Sequence, residues 1–153
     1  APRSNSPNAS PSDKVPAMLK FMLDTNIVIY VIKRRPIEVM GIFNDNAGRM
    51  AISAITLSEL FYGAEKSAKV AQNLAVVEEF ASLLEVLPYT AKAAQHYGAI
   101  RSALEKVGRT IGVNDLHIGA HARSEGLTLV TNNLGEFERV PGLMAENWVS
   151  NLT

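Results

Sequence analysis

Apolar residues in this chain fall into short runs alternating with longer stretches of helical period. Leu19–Leu23 is strand-like and ends in Asp24. Residues 25–34 and 37–44 carry helical spacing and are separated by Pro36, which disfavours helix at the residue before it. A second short run, Met50–Ser53, follows the break at Gly48. Thr56 to Lys66 places Leu57, Leu60, Phe61 and Ala64 along one stripe, the spacing of an amphipathic helix. Helical pattern over 68–83 leads into a third strand, Leu84–Leu87, closed by Pro88. The longest helix is predicted over Thr90–Val107, stopped by Gly108, and another over Asn114–Ser124, ended by Gly126. Leu127–Val130 reads as a fourth strand, and a fifth is expected within Val140–Trp148. Strands separated by helices predict a parallel sheet covered on both faces, an α/β sandwich. In such sheets ligands bind outside the carboxyl ends of the strands, so the residues just after each strand come first.

Composition narrows the chemistry. The chain has 153 residues, 47% of them hydrophobic, enough for one folded core. It has no cysteine, which excludes a disulfide framework, a cysteine nucleophile and any thiolate metal site. Fifteen basic residues balance fifteen acidic ones, so charge alone does not point to nucleic acid. Residues 1–17 hold four of the seven prolines, four serines and no large apolar residue except Val15. They read as a linker or expression tag rather than a signal peptide, with Met18 as the natural start and residues 18–153 as one domain. Without them thirteen basic and fourteen acidic residues remain. No apolar run approaches the roughly 20 residues that span a bilayer, so no membrane role is expected.

Acids accumulate where the strand-end rule directs attention. Asp24 directly follows the first strand, with Thr25 beside it; Glu59 lies just beyond the second; Asp115 opens the 114–124 helix; Asn133 and Glu136 follow the fourth strand. Each has a structural explanation as well. Asp24 suits a helix N-cap, Thr56-x-x-Glu59 has the form of a capping box with Asn133-x-x-Glu136 close to one, and Asp115 complements a helix dipole. Together, at one edge of a doubly wound sheet, such carboxylates repel one another, and a hard cation such as Mg²⁺ or Mn²⁺ with oxygen ligands relieves that repulsion. A site of this kind suits metal-assisted phosphodiester hydrolysis.

Four segments in order, Met22-Leu-Asp-Thr-Asn26, Ser53-x-x-Thr-x-x-Glu-Leu-x-x-Gly-Ala64, Asn114-Asp-x-x-Ile-x-Ala-His-Ala122 and Thr131-Asn-Asn-x-x-Glu-Phe-x-Arg-Val140, resemble the PIN-domain ribonucleases, in particular the VapC-type toxins of bacterial toxin–antitoxin pairs. The resemblance covers essentially all of residues 18–148. It implies a PIN-like three-layer α/β/α sandwich with a parallel five-stranded sheet, and a Mg²⁺- or Mn²⁺-dependent endoribonuclease. It further implies an RNA substrate, tRNA at its anticodon stem-loop, a VapB-like antitoxin that blocks the site, a homodimer, operator DNA contacted only through the antitoxin complex, and a bacterial cytoplasmic setting. The family's first three acids fall on Asp24, Glu59 and Asp115, the expected metal ligands, and its helper hydroxyl on Thr25. The fourth acid departs from the pattern, because Asn133 stands where many relatives have Asp. Either Glu136 replaces it from one helical turn on, or Asn133 coordinates through its amide oxygen; one firmly bound ion is expected and a second is left open. The alternative is a catalytically weak PIN domain that chiefly binds its antitoxin.

Other residues carry weaker signals. His117 and His121, four apart on one helix, have zinc-like spacing but lack the Glu that an HExxH site requires. Arg101, Lys106, Arg109 and Arg123 have the charge to meet RNA phosphates, as does Lys33-Arg34-Arg35, yet solvated helix faces carry such charges routinely. Trp148, Phe61, Tyr62 and Tyr97 read as core or interface, and Leu57–Phe61 with Tyr62 as part of a groove for an antitoxin helix or a dimer contact. A haloacid-dehalogenase-type phosphatase wants Asp-x-Asp, whereas Asn26 holds the second position, and a phosphotransfer receiver needs an acceptor Asp that 84–90 lacks.

Overall fold

Strand side chains alternate between two cores, which is why each strand reads as continuously apolar. In the computed structural model, which describes residues 18–149, the order is β1 (Phe21–Leu23), α1 (Thr25–Lys33), α2 (Glu38–Asp45), β2 (Met50–Ser53), α3 (Ala54–Glu65), α4 (Val70–Ala81), β3 (Glu85–Leu87), α5 (Ala91–Lys106), α6 (Val113–Ser124), β4 (Thr128–Val130), α7 (Leu134–Phe137) and β5 (Ala145–Glu146). The expected linker at 1–17 and the last four residues lie outside the described residues.

The five strands form one sheet in the order β3-β2-β1-β4-β5, every neighbouring pair parallel. Phe21, Leu23, Met50, Ile52 and Val130 face a core closed by Ile27, Val31, Phe43, Leu60, Phe80 and Trp148. Met22, Ala51 and Leu129 face the other, closed by Ile100, Leu104, Leu116, Ile118, Phe137 and Val140. This period of two produces the three-layer α/β/α sandwich, in which both sheet faces are dry and burial supplies the main driving force. The chain leaves β1 for β2 on one side and reaches β4 on the other, so the topological switch lies between β1 and β4. There the ladder continues as Asp24 N donates to Val130 O at 2.8 Å, bringing Asp24 beside Thr131.

Gly108 and Gly126 end α5 and α6 with φ of 67° and 68°, the left-handed geometry that glycine adopts without steric cost. Two local expectations change. First, α3 begins at Ala54 rather than Thr56, because Ser53 at the end of β2 is the N-cap, its Oγ accepting from Ile55 N at 3.0 Å. The Thr56–Glu59 capping box therefore does not form; Thr56 is fully buried within the first turn, and Glu59 is free to face elsewhere. Second, a single helical turn, α7, follows β4, held down by the fully buried ring of Phe137. The fifth strand falls inside the predicted window but is only two residues long.

Candidate active site

Asp24 is set by two elements at once. As the N-cap of α1 it adopts extended backbone, and its Oδ1 accepts from Thr25 N at 2.8 Å. Its Oδ2 accepts from the hydroxyl of Thr131, fully buried at the end of β4, also at 2.8 Å. Both carboxylate oxygens are thus aimed before any ligand arrives. Burial pushes the Asp24 carboxyl above its usual range, the bonds from Thr131 and Thr25 pull it back, and Glu59 and Glu136 push it up again.

Glu59 arrives from α3. The Thr25 hydroxyl donates to Glu59 Oε1 at 2.5 Å and lies 3.4 Å from the hydroxyl of Thr56, while Asn114 Nδ2 donates to Glu59 Oε2 at 3.1 Å. Asp115 comes from the first turn of α6. Its carboxyl is pushed up to about 7, first by burial, then by the charge of Asp24, by the charge and proximity of Glu136, and by Glu59. Glu136 sits in α7, where Asn133 Nδ2 donates to its Oε2. Thr131 Oγ1 accepts from Asn133 N at 3.0 Å, so one hydroxyl orients Asp24 and the entry to α7 together.

All six sequence-nominated residues, Asp24, Thr25, Glu59, Asp115, Asn133 and Glu136, meet at the carboxyl edge of the sheet. Glu136 faces the other acids and Asn133 serves it as a donor. Asn133-x-x-Glu136 accordingly forms no capping box: the Glu136 carboxylate meets the Asn133 side-chain amide rather than its backbone N–H. Among the described residues no three acidic or imidazole side chains form a ready chelate, since Thr25 and Asn114 hold Glu59 to one side. The donor set is nonetheless all oxygen and electrostatically overfilled, which is the condition a hard divalent cation relieves. Thr131 and Asn114 were absent from the nominated set. Thr131 directly follows a strand, so the strand-end rule applied to uncharged residues would have found it, whereas Asn114 lies on α6, which follows a helix, and only its place beside Asp115 marks it.

The histidines serve a different purpose from the one their spacing suggested. His117 Nδ1 meets the Tyr89 hydroxyl at 2.7 Å and its ring stacks on Tyr97 at 4.0 Å; His121 Nδ1 meets Ser53 Oγ at 2.7 Å. Arg101 bonds Tyr97 and Glu105, and Arg123 bonds His96 and the Pro141 carbonyl, so internal partners occupy both guanidinium groups. Arg34 caps α1 in left-handed geometry. Trp148 is core, packed edge-on against Phe21, whereas Tyr62 is 65% exposed. A mostly apolar cleft of about 310 Å³ runs between α1, α3 and α4, lined by Ile29, Ile32, Gly63 and Val76, and opens at one end onto Thr25 and Glu59.

The PIN domain family profile matches residues 21–143, from the first residue of β1 almost to β5. The chain is 62% identical over 132 residues to Ribonuclease VapC2 of Haemophilus influenzae, covering 86% of this chain and all of that one. The chain belongs to the PIN-domain VapC ribonucleases. Its likeness extends to the tRNA(fMet)-specific endonuclease VapC of Shigella flexneri, at 56% identity over 86% of this chain and 99% of the relative. Among solved structures, DNA-bound VapBC from Salmonella typhimurium superposes with a TM-score of 0.83 at 56% identity, covering 86% of this chain and 99% of the matched one. As a VapC ribonuclease toxin it is an RNA-cleaving enzyme on a PIN fold, as its sequence segments implied, and none of its described helices is long and apolar enough to cross a membrane.

Proposed function

We propose that this VapC ribonuclease is a divalent-metal-dependent endonuclease that hydrolyses tRNA at the anticodon stem-loop in the bacterial cytoplasm, thereby stopping translation. The observation that carries the reading is the convergence of Asp24, Glu59, Asp115 and Glu136 on one edge, where burial and then the repulsion among these acids push Asp115 up to about 7. Asp24 and Asp115, with Glu59, are the ligands for Mg²⁺ or Mn²⁺. A cation bound there supplies charge compensation and Lewis acidity toward a phosphate oxygen.

The chain's own groups do the rest. Thr131 and the Thr25 backbone N–H hold Asp24 in one rotamer. The Thr25 hydroxyl and the Asn114 amide restrain Glu59. Glu136, oriented by Asn133, takes the place of the family's fourth acid. Asp115, whose carboxyl is pushed up to about 7 in the metal-free protein, would be held ionised by a cation bound beside it.

The tRNA target is supported by the likeness to the tRNA(fMet)-specific endonuclease VapC of Shigella flexneri. A VapB-like antitoxin that closes the cleft beside Thr25 and Glu59, a homodimer, and contact with operator DNA only through the antitoxin are supported by the likeness to DNA-bound VapBC. Incubating the purified protein with total tRNA, with and without Mg²⁺, tests the reaction. Discrete fragments appear only with the metal, and Asp24→Asn, which keeps a capping side chain, abolishes them. Undiminished cleavage in EDTA, or a fully active D24N, contradicts the mechanism.

A further inference from the structure

The helices that carry Glu59 and Asp115 are tied together a second time, deeper in the protein. His121 lies on α6, six residues beyond Asp115, and is 1% exposed; Ser53 caps α3, six residues before Glu59, and is fully buried. Their side chains meet at 2.7 Å between Nδ1 and Oγ. Six helical residues span about 9 Å, so on each helix the acid stands roughly that far from the shared contact.

The bonding pattern fixes the direction of this contact. Ser53 Oγ accepts from Ile55 N at 3.0 Å and keeps both a hydrogen and a second lone pair, so it is the Pro88 carbonyl, able only to accept, that puts the ring proton on Nε2 and leaves Nδ1 to accept from Ser53. The ring is then neutral with its proton on Nε2. That atom is buried without a partner in hydrogen-bond geometry, although the Pro88 carbonyl lies close enough to favour a proton on the ring. The edge of Tyr89, just beyond β3, packs against the same ring with centroids 5.4 Å apart. An apolar ring of the same size would fill this dry site but leave the buried Ser53 hydroxyl without the partner that ties it to α6.

We infer that His121 is a positioning residue for the ribonuclease reaction: through Ser53 it sets the separation and register of α3 against α6, and so the distance between Glu59 and Asp115. Asn114 bonding Glu59 at 3.1 Å is the outer, solvent-facing rung of the same junction, and His121–Ser53 the inner one. The outer rung is exposed to solvent, whereas the inner one is buried.

The inference rests on the carboxylate–metal reading of the site, and the test separates the two. His121→Phe keeps the ring volume and removes the acceptor; His121→Asn keeps a polar atom near the Nδ1 position and removes volume; Ser53→Ala removes the other partner. Kinetics of tRNA cleavage and calorimetric titration with Mn²⁺ are measured for each and for the H121F/S53A double variant, with thermal melts recorded alongside. A displacement of order 1 Å between reacting groups costs about 10²-fold, so H121F loses roughly ten- to a hundredfold in kcat, while KM for tRNA stays within about threefold. Its Mn²⁺ binding weakens too. The double variant is no worse than H121F, and H121N recovers most of the rate despite melting lower. Wild-type kcat and Mn²⁺ affinity in folded H121F, additive losses in the double variant, or an H121N rate that follows melting temperature each overturn the inference. If the wild-type protein binds no Mn²⁺, the metal reading falls, and the kcat series still decides the role of His121.

Discussion

Helix α6 carries two polar clusters six residues apart, and the protein treats them in opposite ways. Around His121 and Ser53 the groups are neutral, dry and bonded to one another, and burial holds the imidazole below its usual range. Around Asp115 the groups are acidic, half-open to solvent and mutually repelling, and the carboxyl is pushed up to about 7. The difference locates function. A protein that pairs neutral side chains in one place and crowds carboxylates together in another makes the second place the one where an outside cation would be stabilising.

The comparison breaks most sharply at the acids. Asp24→Asn or Asp115→Asn should lower tRNA cleavage by about a thousandfold, since several kcal/mol of charge stabilisation are lost. Steady-state rates at saturating Mg²⁺ check this. Thr131→Val comes next. It removes a 2.8 Å bond to a buried carboxylate, and a hydrogen bond to a charged group is worth about 1.5–3 kcal/mol, so a loss of roughly ten- to a hundredfold in rate is expected. Glu136→Gln should cost more activity than Asn133→Ala, because the first removes a charge from the site and the second only its donor; the reverse order returns the fourth position to Asn133.

The pH dependence of stability sharpens the same contrast. An Asp that titrates near 3.8 when unfolded and about 7 when folded binds more protons in the folded state between those values. Metal-free stability therefore falls as pH rises from about 4 to 7 and levels off above, and D115N flattens that slope. Melting curves at pH 5 and pH 8 read it directly, and Mg²⁺ should raise the midpoint more at pH 8. The smallest effect belongs to Arg101→Gln. Its pair with Glu105 lies at 3.1 Å with both side chains about half exposed, so solvent screens it and the melting temperature should barely move.

Much of this was readable in the chain because it was written locally. The strand end followed by Asp24, helix stops at Gly108 and Gly126, and the order of the acids all sit within a few residues of their cause. Thr56 misled because its capping spacing to Glu59 is a one-dimensional pattern, and a better-placed hydroxyl, Ser53, stands at the true end of β2. The pairings that connect distant segments were not readable that way: Ser53 with His121 across 68 positions, Thr131 with Asp24 across 107, and Glu59 with Asn114 across 55. Sheet order decides those contacts, and no spacing rule within one helix encodes them. Both histidine rings share a face of α6, as their spacing allowed, and only the fold shows that this face meets a tyrosine and a serine.

Titration of Mn²⁺ into the wild-type protein and into D115N, at pH 8 and followed by calorimetry, addresses the central claim most directly. The account predicts saturable binding to the wild-type protein that D115N loses. Equal binding by both, or none by the wild-type protein, would contradict the claim that the acids at the carboxyl edge of the sheet are there to hold a metal ion.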